Sequence, residues 1–180
     1  MLLKSPAKIN LTLKVNKKLK NGLHNIQSYY CLINLYDEIK IRTIKEKNDK
    51  IKFVGSFKRN INQDNTVSNT IKLLRDKGIV TNRFKVKINK KIPVFAGLGG
   101  GTSNAVCLVK LLAKSKINII KKFIKKEIGS DTVLFFNNQG FLKNLNTVIK
   151  LKPFSLFFLL VHPGIKCSTK KIFSKKKYYS

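Results

Sequence analysis

The chain has 180 residues, is 43% hydrophobic and 9% aromatic, and carries a formal net charge of +30 at pH 7. This length suits one domain or slightly more, with enough chain to bury a core, and the composition excludes an intrinsically disordered protein. The longest apolar run, residues 154–161, is too short to cross a bilayer, so it does not predict a membrane-spanning helix.

The cysteines and the first residues both indicate a cytoplasmic protein. Cys31, Cys107 and Cys167 are odd in number and form no C-x-x-C pair, which argues against a disulfide framework and against a structural zinc site. The opening residues, "MLLKSPAKIN", contain no signal-peptide apolar stretch and no small-residue cleavage site. We therefore expect a cytoplasmic chain with no membrane partner.

The charge needs an interpretation of its own, because 38 basic residues stand against 8 acidic ones. It fits either a polyanionic partner, such as nucleic acid, or compositional drift towards lysine. A protein that binds nucleic acid specifically usually contains more arginine, because guanidinium makes bidentate contacts with phosphates and base edges. The lysines are also spread along nearly the whole chain, so drift is favoured and a nucleic-acid partner stays open as the alternative.

The first third of the chain predicts antiparallel strands. Alternating apolar and polar residues predict strands at 2–15, 26–35, 37–44 and 50–57. An Asn-Gly pair within residues 17–24 is typical of a hairpin turn.

The remaining residues predict helices interleaved with short strands. Apolar residues spaced three or four apart predict helices at 63–78, at about 102–114 and at 117–129. Alternating apolar residues predict a strand at 83–93. Asn65 is a candidate N-cap of the first helix, and Gly78 a candidate end. Short buried elements are expected within "SDTVLFF", "QGFLKN" and "LFFLLVHPG". Together the elements predict an α+β fold.

A glycine loop precedes the second predicted helix, because four of the five residues 97–101 are glycine and Thr102 and Ser103 follow directly. In the order strand, glycine loop, helix, free backbone N–H groups and the positive end of the helix form an anion cradle. A hydroxyl of Thr102 or Ser103 could hold Mg²⁺ or a phosphate oxygen. A tight turn that only permits packing is the alternative, but four glycines beside two hydroxyls favour phosphate binding.

Asp131 is the acidic residue with the most informative surroundings, because it lies between Gly129 and an apolar run. Among so few acidic residues this position favours a role beyond surface charge, and capping of a helix N-terminus explains it equally well.

Six stretches, which follow the family's order along the chain, resemble the GHMP kinase family of small-molecule kinases. The loop "PVFAGLGGGTSNA" resembles the family's P-x-x-x-G-L-G-S/G-S/G signature. The other stretches are "SPAKINLTLKV", "NGLHNIQSYY", "QDNTVSNTIKLL" with "GSDTVLFF", and "VHPGIKCSTKKIF". Within the family the motifs are most similar to kinases that phosphorylate the 2-hydroxyl of a cytidyl alcohol in non-mevalonate isoprenoid synthesis.

The resemblance implies a fold and a domain division. It predicts the α+β N-terminal lobe of a GHMP kinase, which is similar to domain 2 of ribosomal protein S5 and has an antiparallel-rich sheet with packed helices. Residues 1–150 are then the ATP-binding domain, and residues 151–180 are expected to be the start of a shortened C-terminal lobe.

The resemblance also implies roles for particular residues. Asp131 is the expected general base, with Lys8 as its partner, and Thr102 is the expected Mg²⁺ ligand. The residues expected at ATP are Asn65, Pro93, Gly97, Leu98, Gly99, Gly100, Gly101, Thr102 and Ser103. The residues expected at the cytidyl substrate are Asn10, His24 and Phe173. On residue type alone, each of these last three has an ordinary structural explanation.

Two positions depart from the family pattern. Leu23 replaces the aromatic that usually precedes the histidine, which removes part of a base-stacking surface. Leu134 replaces a proline of the segment that follows the catalytic aspartate. A catalytically impaired homologue, another substrate of the family, and a basic RNA-binding module on the same fold are the alternatives that the sequence leaves open.

Overall fold

The computed structural model of the protein describes residues 1–19, 24–59 and 61–164. Within these ranges the strands are β1 (Leu2–Asn10), β2 (Lys14–Lys18), β3 (His24–Ile44), β4 (Lys50–Val54), β5 (Arg83–Asn89), β6 (Gln139–Asn144) and β7 (Thr147–Lys150). The α-helices are α1 (Thr66–Asp76), α2 (Gly100–Ala113) and α3 (Ile117–Ile128), and two 3₁₀ helices span Lys114–Lys116 and Ser130–Phe136.

Strand β3 organises the sheet, because β1, β2, β5 and β6 all pair with it. The order through the sheet is β4-β5-β3-β6-β7, and β1 and β2 pair with β3 outside this path. The β4–β5 pair is parallel and the other described pairs are antiparallel. The α+β fold with an antiparallel-rich sheet and packed helices is therefore confirmed.

The structure has one strand of 21 residues where the sequence predicted two strands, at 26–35 and 37–44. The pairing of β1 with β3 is nevertheless irregular close to the predicted break: Pro6 pairs with Tyr36 and Ala7 with Ile33, so residues 34–35 of β3 bulge out of the ladder. Conversely, the single strand predicted at 2–15 is divided, with β1 ending at Asn10 and β2 beginning at Lys14.

A buried carboxylate explains how a charged residue fits in the middle of β3. Asp37 is fully buried and accepts hydrogen bonds from the Lys90 ammonium, from the Lys91 N–H at 2.8 Å and from the Ile92 N–H at 2.9 Å. A charge is tolerated in a protein interior when it is paired and its hydrogen bonds are satisfied. The same contacts explain why β5 does not continue to residue 93, as the sequence predicted: the N–H groups of Lys91 and Ile92 donate to Asp37 instead of to a neighbouring strand.

The helices cover one face of the sheet. One apolar cluster joins β3 and β5 to α1 and α2 and includes Ile39, Ile41, Val86, Ile88, Val67, Ile71 and Leu108. A second cluster joins the three helices to Tyr30 of β3, to Leu142 of β6 and to the 3₁₀ helix 130–136. Side-chain alternation in β3 is clear at Tyr29, which is 44% exposed, beside the fully buried Tyr30. Burial raises the pKa of the Tyr30 phenol to about 12.

The predicted cap of α1 is confirmed. The Asn65 side chain accepts hydrogen bonds from the N–H groups of Val67 and Ser68, and the Ser68 hydroxyl accepts one from the Asn65 N–H. This reciprocal arrangement satisfies backbone donors that the first helical turn would otherwise leave unpaired. Gly78, with a φ of +62°, lies two residues beyond the last residue of α1, as predicted.

The prediction of a buried element within residues 156–164 is wrong. Phe157 is 101% exposed and Leu159 is 92% exposed, and these residues form no helix or strand. They lie beyond β7, where no described helix or strand covers them. Within the described ranges, no helix is long and apolar enough to span a bilayer.

We expect the Asp37→Asn substitution to be strongly destabilising, because it leaves the Lys90 ammonium buried without a counter-charge. Such a loss typically costs ~3–5 kcal/mol of the free energy of unfolding, which urea titration measures. Glu46→Gln is the matched control, because it breaks an exposed ion pair with Lys50 and should cost less than ~1 kcal/mol. The double variant Asp37→Asn/Lys90→Met should recover part of the loss, and equal effects of the two single substitutions would contradict the assignment.

Candidate active site

The glycine loop connects β5 to α2 and has a backbone that requires glycine. Gly97 and Gly99 have φ angles of +73° and +69°, in the left-handed region. A Cβ on Gly99 would lie 2.7 Å from the ring of Phe135, so both the backbone angle and the packing exclude a side chain there. The first backbone hydrogen bond of α2 runs from the Ser103 N–H to the Gly99 carbonyl at 2.8 Å, so the helix begins two residues before its predicted start.

A cleft of about 780 Å³ opens along this loop, which we call the glycine-loop cleft. Its walls come from β1, from the start of α1, from the glycine loop with the first turn of α2, and from the 3₁₀ helix at 130–136. The predicted site residues that line it are Lys8, Asn10, Asn65, Pro93, Gly97, Leu98, Gly99, Gly100, Gly101, Thr102 and Asp131. The fold therefore brings most of the predicted residues into one cavity.

Lys8 and Asp131 form an ion pair in this cleft. The Lys8 Nζ lies 3.4 Å from the Asp131 Oδ2, with the lysine side chain buried and the aspartate side chain 39% exposed. The Lys8 N–H also donates to the Leu98 carbonyl at 3.0 Å, which attaches β1 to the glycine loop. The Asp131 side chain makes no capping hydrogen bond, so the N-cap explanation of this residue is not supported.

Two helix N-termini meet at the cleft. The Thr66 hydroxyl, in the first turn of α1, donates to the Gly101 carbonyl of α2 at 2.9 Å. The start of α2 has no side-chain cap, so its first N–H groups and its partial positive charge are available to an anion, whereas the capped start of α1 contributes its partial positive charge. The buried Lys90 ammonium lies 3.2 Å from the position that a Cβ on Gly100 would occupy, and the Asp37 carboxylate balances its charge. The cleft therefore has the electrostatics of an anion site.

The sequence did not identify Lys90 or Asn104, which also line the cleft. Lys90 is one lysine among many, and only its pairing with Asp37 distinguishes it. Asn104 is 1% exposed, and its Oδ1 has no hydrogen-bond partner, like the Oδ1 of Asn10. A buried acceptor without a donor costs ~1–3 kcal/mol, so both oxygens suit a polar ligand that supplies donors. The helical spacing of Asn104 from Gly100 and Gly101 was the signal that could have found it.

Two predicted site residues in the described part of the chain do not line the cleft. Ser103 is buried on the other side of α2, where its hydroxyl accepts a hydrogen bond from the Ser5 hydroxyl at 2.8 Å. His24 begins β3 opposite Lys18 and is not part of the lining. Phe173, expected at the substrate base, lies outside the described residues, as does Leu23.

The oxygen donors of the cleft fit a magnesium ion that arrives with phosphate groups. No cluster of three or more His, Cys, Asp or Glu side chains suitable for a metal occurs in the described part of the chain. Asp64, Asp131 and Thr102 nevertheless offer carboxylate and hydroxyl oxygens at the cleft wall. Mg²⁺ typically uses one or two protein carboxylates and takes its other ligands from phosphates and water.

Comparison with known proteins agrees with this geometry. The model of the GHMP kinases N terminal domain matches residues 65–129. The chain is 40% identical to the 4-diphosphocytidyl-2-C-methyl-D-erythritol kinase of Pelagibacter ubique (strain HTCC1062), across 99% of this chain and 66% of that protein. It is 34% identical to the enzyme of the same name from Wigglesworthia glossinidia brevipalpis, across 95% of this chain and 59% of that protein. The chain therefore spans three fifths to two thirds of the length of these relatives.

Solved structures show the same fold. A crystal structure of 4-(cytidine 5'-diphospho)-2C-methyl-D-erythritol kinase superimposes with a TM-score of 0.59 at 24% identity, over 76% of this chain and 48% of that one. A crystal structure of mevalonate kinase superimposes with a TM-score of 0.58 at 19% identity, over 84% of this chain and 56% of that one. Because the matched residues 65–129 include the glycine loop and both helix N-termini of the cleft, sequence similarity and geometry lead to one conclusion: the chain belongs to the GHMP kinase family.

Proposed function

We propose that this chain forms the nucleotide-binding part of an ATP-dependent kinase for 4-diphosphocytidyl-2-C-methyl-D-erythritol, an alcohol of isoprenoid precursor synthesis. The γ-phosphoryl group of ATP is transferred to the 2-hydroxyl of that substrate. The observation that carries this proposal is the Lys8–Asp131 pair, which lies in the same cleft as the glycine loop. The names of the relatives support the choice of substrate.

The glycine loop and the two helix N-termini are proposed to hold the polyphosphate. Phosphoryl transfer depends mainly on positioning and on electrostatic stabilisation, and backbone N–H groups supply both without reorganising. A Mg²⁺ ion carried by the nucleotide would neutralise phosphate charge, and the Thr102 hydroxyl at the cleft wall is the group proposed to hold it. The unpaired Oδ1 of Asn104 is an acceptor for a donor group of the bound nucleotide.

Asp131 is proposed as the general base. Its carboxylate takes the proton of the 2-hydroxyl, the hydroxyl oxygen bonds to the γ-phosphorus, and the bond between that phosphorus and the bridging oxygen of ADP breaks. The Lys8 ammonium holds the carboxylate in place and stabilises negative charge on the transferring group. Part of the Asp131 side chain is exposed towards the cleft, so a substrate can reach it.

The substrate side is proposed to begin at Asn10, whose unpaired Oδ1 is at the cleft wall. His24 and Phe173 stay predictions for the cytidyl group. Residues 1–150 are proposed as the ATP-binding domain and residues 151–180 as the beginning of a C-terminal lobe. The exposed apolar side chains between 154 and 161 support this division, because such a run suits contact with a further lobe.

We expect Asp131→Asn to lower kcat by roughly 10²–10⁴-fold, because the variant cannot accept the hydroxyl proton. A coupled ADP-release assay with the cytidyl alcohol measures the rate, and calorimetric titration with ATP should give an affinity within about twofold of the parent. Asp76→Asn, at the exposed end of α1, is the control and should leave both quantities unchanged. A parental kcat in the Asp131→Asn protein would rule out the assigned base.

We also expect alanine substitutions at Gly97 and Gly99 to weaken ATP binding by different amounts, because the surroundings of the two glycines differ. Gly99→Ala combines a strained φ with a contact of 2.7 Å to Phe135, and it should weaken ATP binding by about a hundredfold. Gly97→Ala has a similar φ but no atom within 4 Å of its Cβ, so about tenfold or less is expected. Adding Phe135→Leu to the Gly99→Ala protein should restore part of the affinity. Equal losses in the two single variants would show that packing under the loop is unimportant.

A further inference from the structure

The face of the sheet that the helices leave uncovered carries a regular group of cations. In β3 the buried residues Ile39 and Ile41 alternate with exposed Lys40 and Arg42, which point to the opposite face. The neighbouring strands continue this pattern with exposed basic residues. The six residues, which we call the cationic face, are Lys40 and Arg42 of β3, Lys50 and Lys52 of β4, and Lys85 and Lys87 of β5.

The strand register places these six cations in two straight rows. One row contains Lys52, Lys87 and Lys40, and the other contains Lys50, Lys85 and Arg42. Neighbouring strands lie ~4.8 Å apart, and alternate residues recur every ~6.7 Å along a strand. Six positive charges are therefore attached to an area of about 10 by 7 Å of sheet.

Little negative charge opposes this group, because Glu38, which shares the face with Lys40, pairs with Lys91 outside the group. Of the six cations, Lys50 forms a salt bridge, with Glu46, and the other five form none with any described residue. Like charges that face each other on adjacent strands destabilise a sheet. The folded chain therefore keeps an unfavourable arrangement that a bound polyanion would turn into a favourable one.

The shape of the cationic face indicates which kind of polyanion binds to it. A depression of about 440 Å³ is lined by Met1, Leu2, Lys40, Ile41, Arg42, Lys85 and Lys87. A flat bilayer surface does not enter a depression, whereas a flexible phosphodiester chain does. A nucleic-acid strand also carries a charge every ~3.4 Å of its axis, so several of its phosphates can contact the two rows at once.

We propose that the cationic face binds the phosphate backbone of a nucleic acid without reading its base sequence. Five of the six cations are lysines, which contact phosphates as point charges and do not recognise base edges bidentately. None of the six residues lines the glycine-loop cleft, so this binding is separate from the proposed kinase site. The basic residues of the face are spread over residues 40–87 in the sequence, and the sheet register is what collects them.

The test compares two variants that lose the same charge. The face variant replaces Lys40, Arg42, Lys85 and Lys87 by Gln, and the control variant replaces the exposed helical residues Lys72, Lys116, Lys122 and Lys126 by Gln. Fluorescence anisotropy with a labelled oligouridine of about 20 nucleotides measures affinity between about 50 and 200 mM salt. The comparison is needed because residues 165–180 contain further lysines that contribute equally to both variants.

We expect the face variant to bind at least about tenfold more weakly at low salt and its slope of log K against log salt to be shallower by about 3. The control variant should lose less than about threefold in affinity. Circular dichroism melts establish that both variants are folded. The proposal is overturned if the parent chain does not bind the oligonucleotide at low salt or if the two variants weaken equally. It is also overturned if the parent binds phosphatidylserine-containing vesicles or polyglutamate more tightly than the oligonucleotide.

Discussion

The buried contact between Asp37 and the segment 90–92 is the constraint on which the rest of the structure depends. It is made in the middle of β3, the strand with which β1, β2, β5 and β6 pair, and it determines where β5 ends and the glycine loop begins. A second attachment, from the Lys8 N–H to the Leu98 carbonyl, fixes the far end of the loop to β1. The loop is therefore held at both ends by strands whose own pairing is extensive.

This double attachment matters for the proposed chemistry, because an anion cradle is effective when its N–H groups are already in place. The Thr66–Gly101 hydrogen bond adds a third connection by joining the starts of α1 and α2. Phe135 packs under Gly99 and belongs to the same 3₁₀ helix as Asp131, so the base and the loop share one support. A change in that packing would move the cradle and the carboxylate together.

The parts of the site that the sequence predicted are those with local signals. Neighbouring residues in the sequence were enough to predict the glycine cluster, the Asn65 cap and the helical spacing of apolar residues in α1 and α3. The Lys8–Asp131 pair was predicted from the ordered family motifs. The Asp37–Lys90 pair was missed, because a charged residue in a strand pattern gives no indication of a partner 53 positions away. The same limitation applies to Asn104, whose unpaired oxygen is visible only in the assembled cleft.

The basic residues responsible for the charge of +30 are spread along the sequence, but the fold places some of them in the cleft and others on the cationic face. In the cleft, the Lys8 and Lys90 ammonium groups are buried beside carboxylates that balance them, so the attraction for an anion comes mainly from oriented backbone N–H groups and helix N-termini. On the cationic face the charges are exposed and mostly unpaired, so salt screens them within about 10 Å at 0.1 M. The two surfaces would thus hold phosphate groups by different physics: oriented backbone donors in the first case, and released counterions in the second. Compositional drift can supply lysines in number, but it is the alternation and register of β3, β4 and β5 that place six of them in two rows.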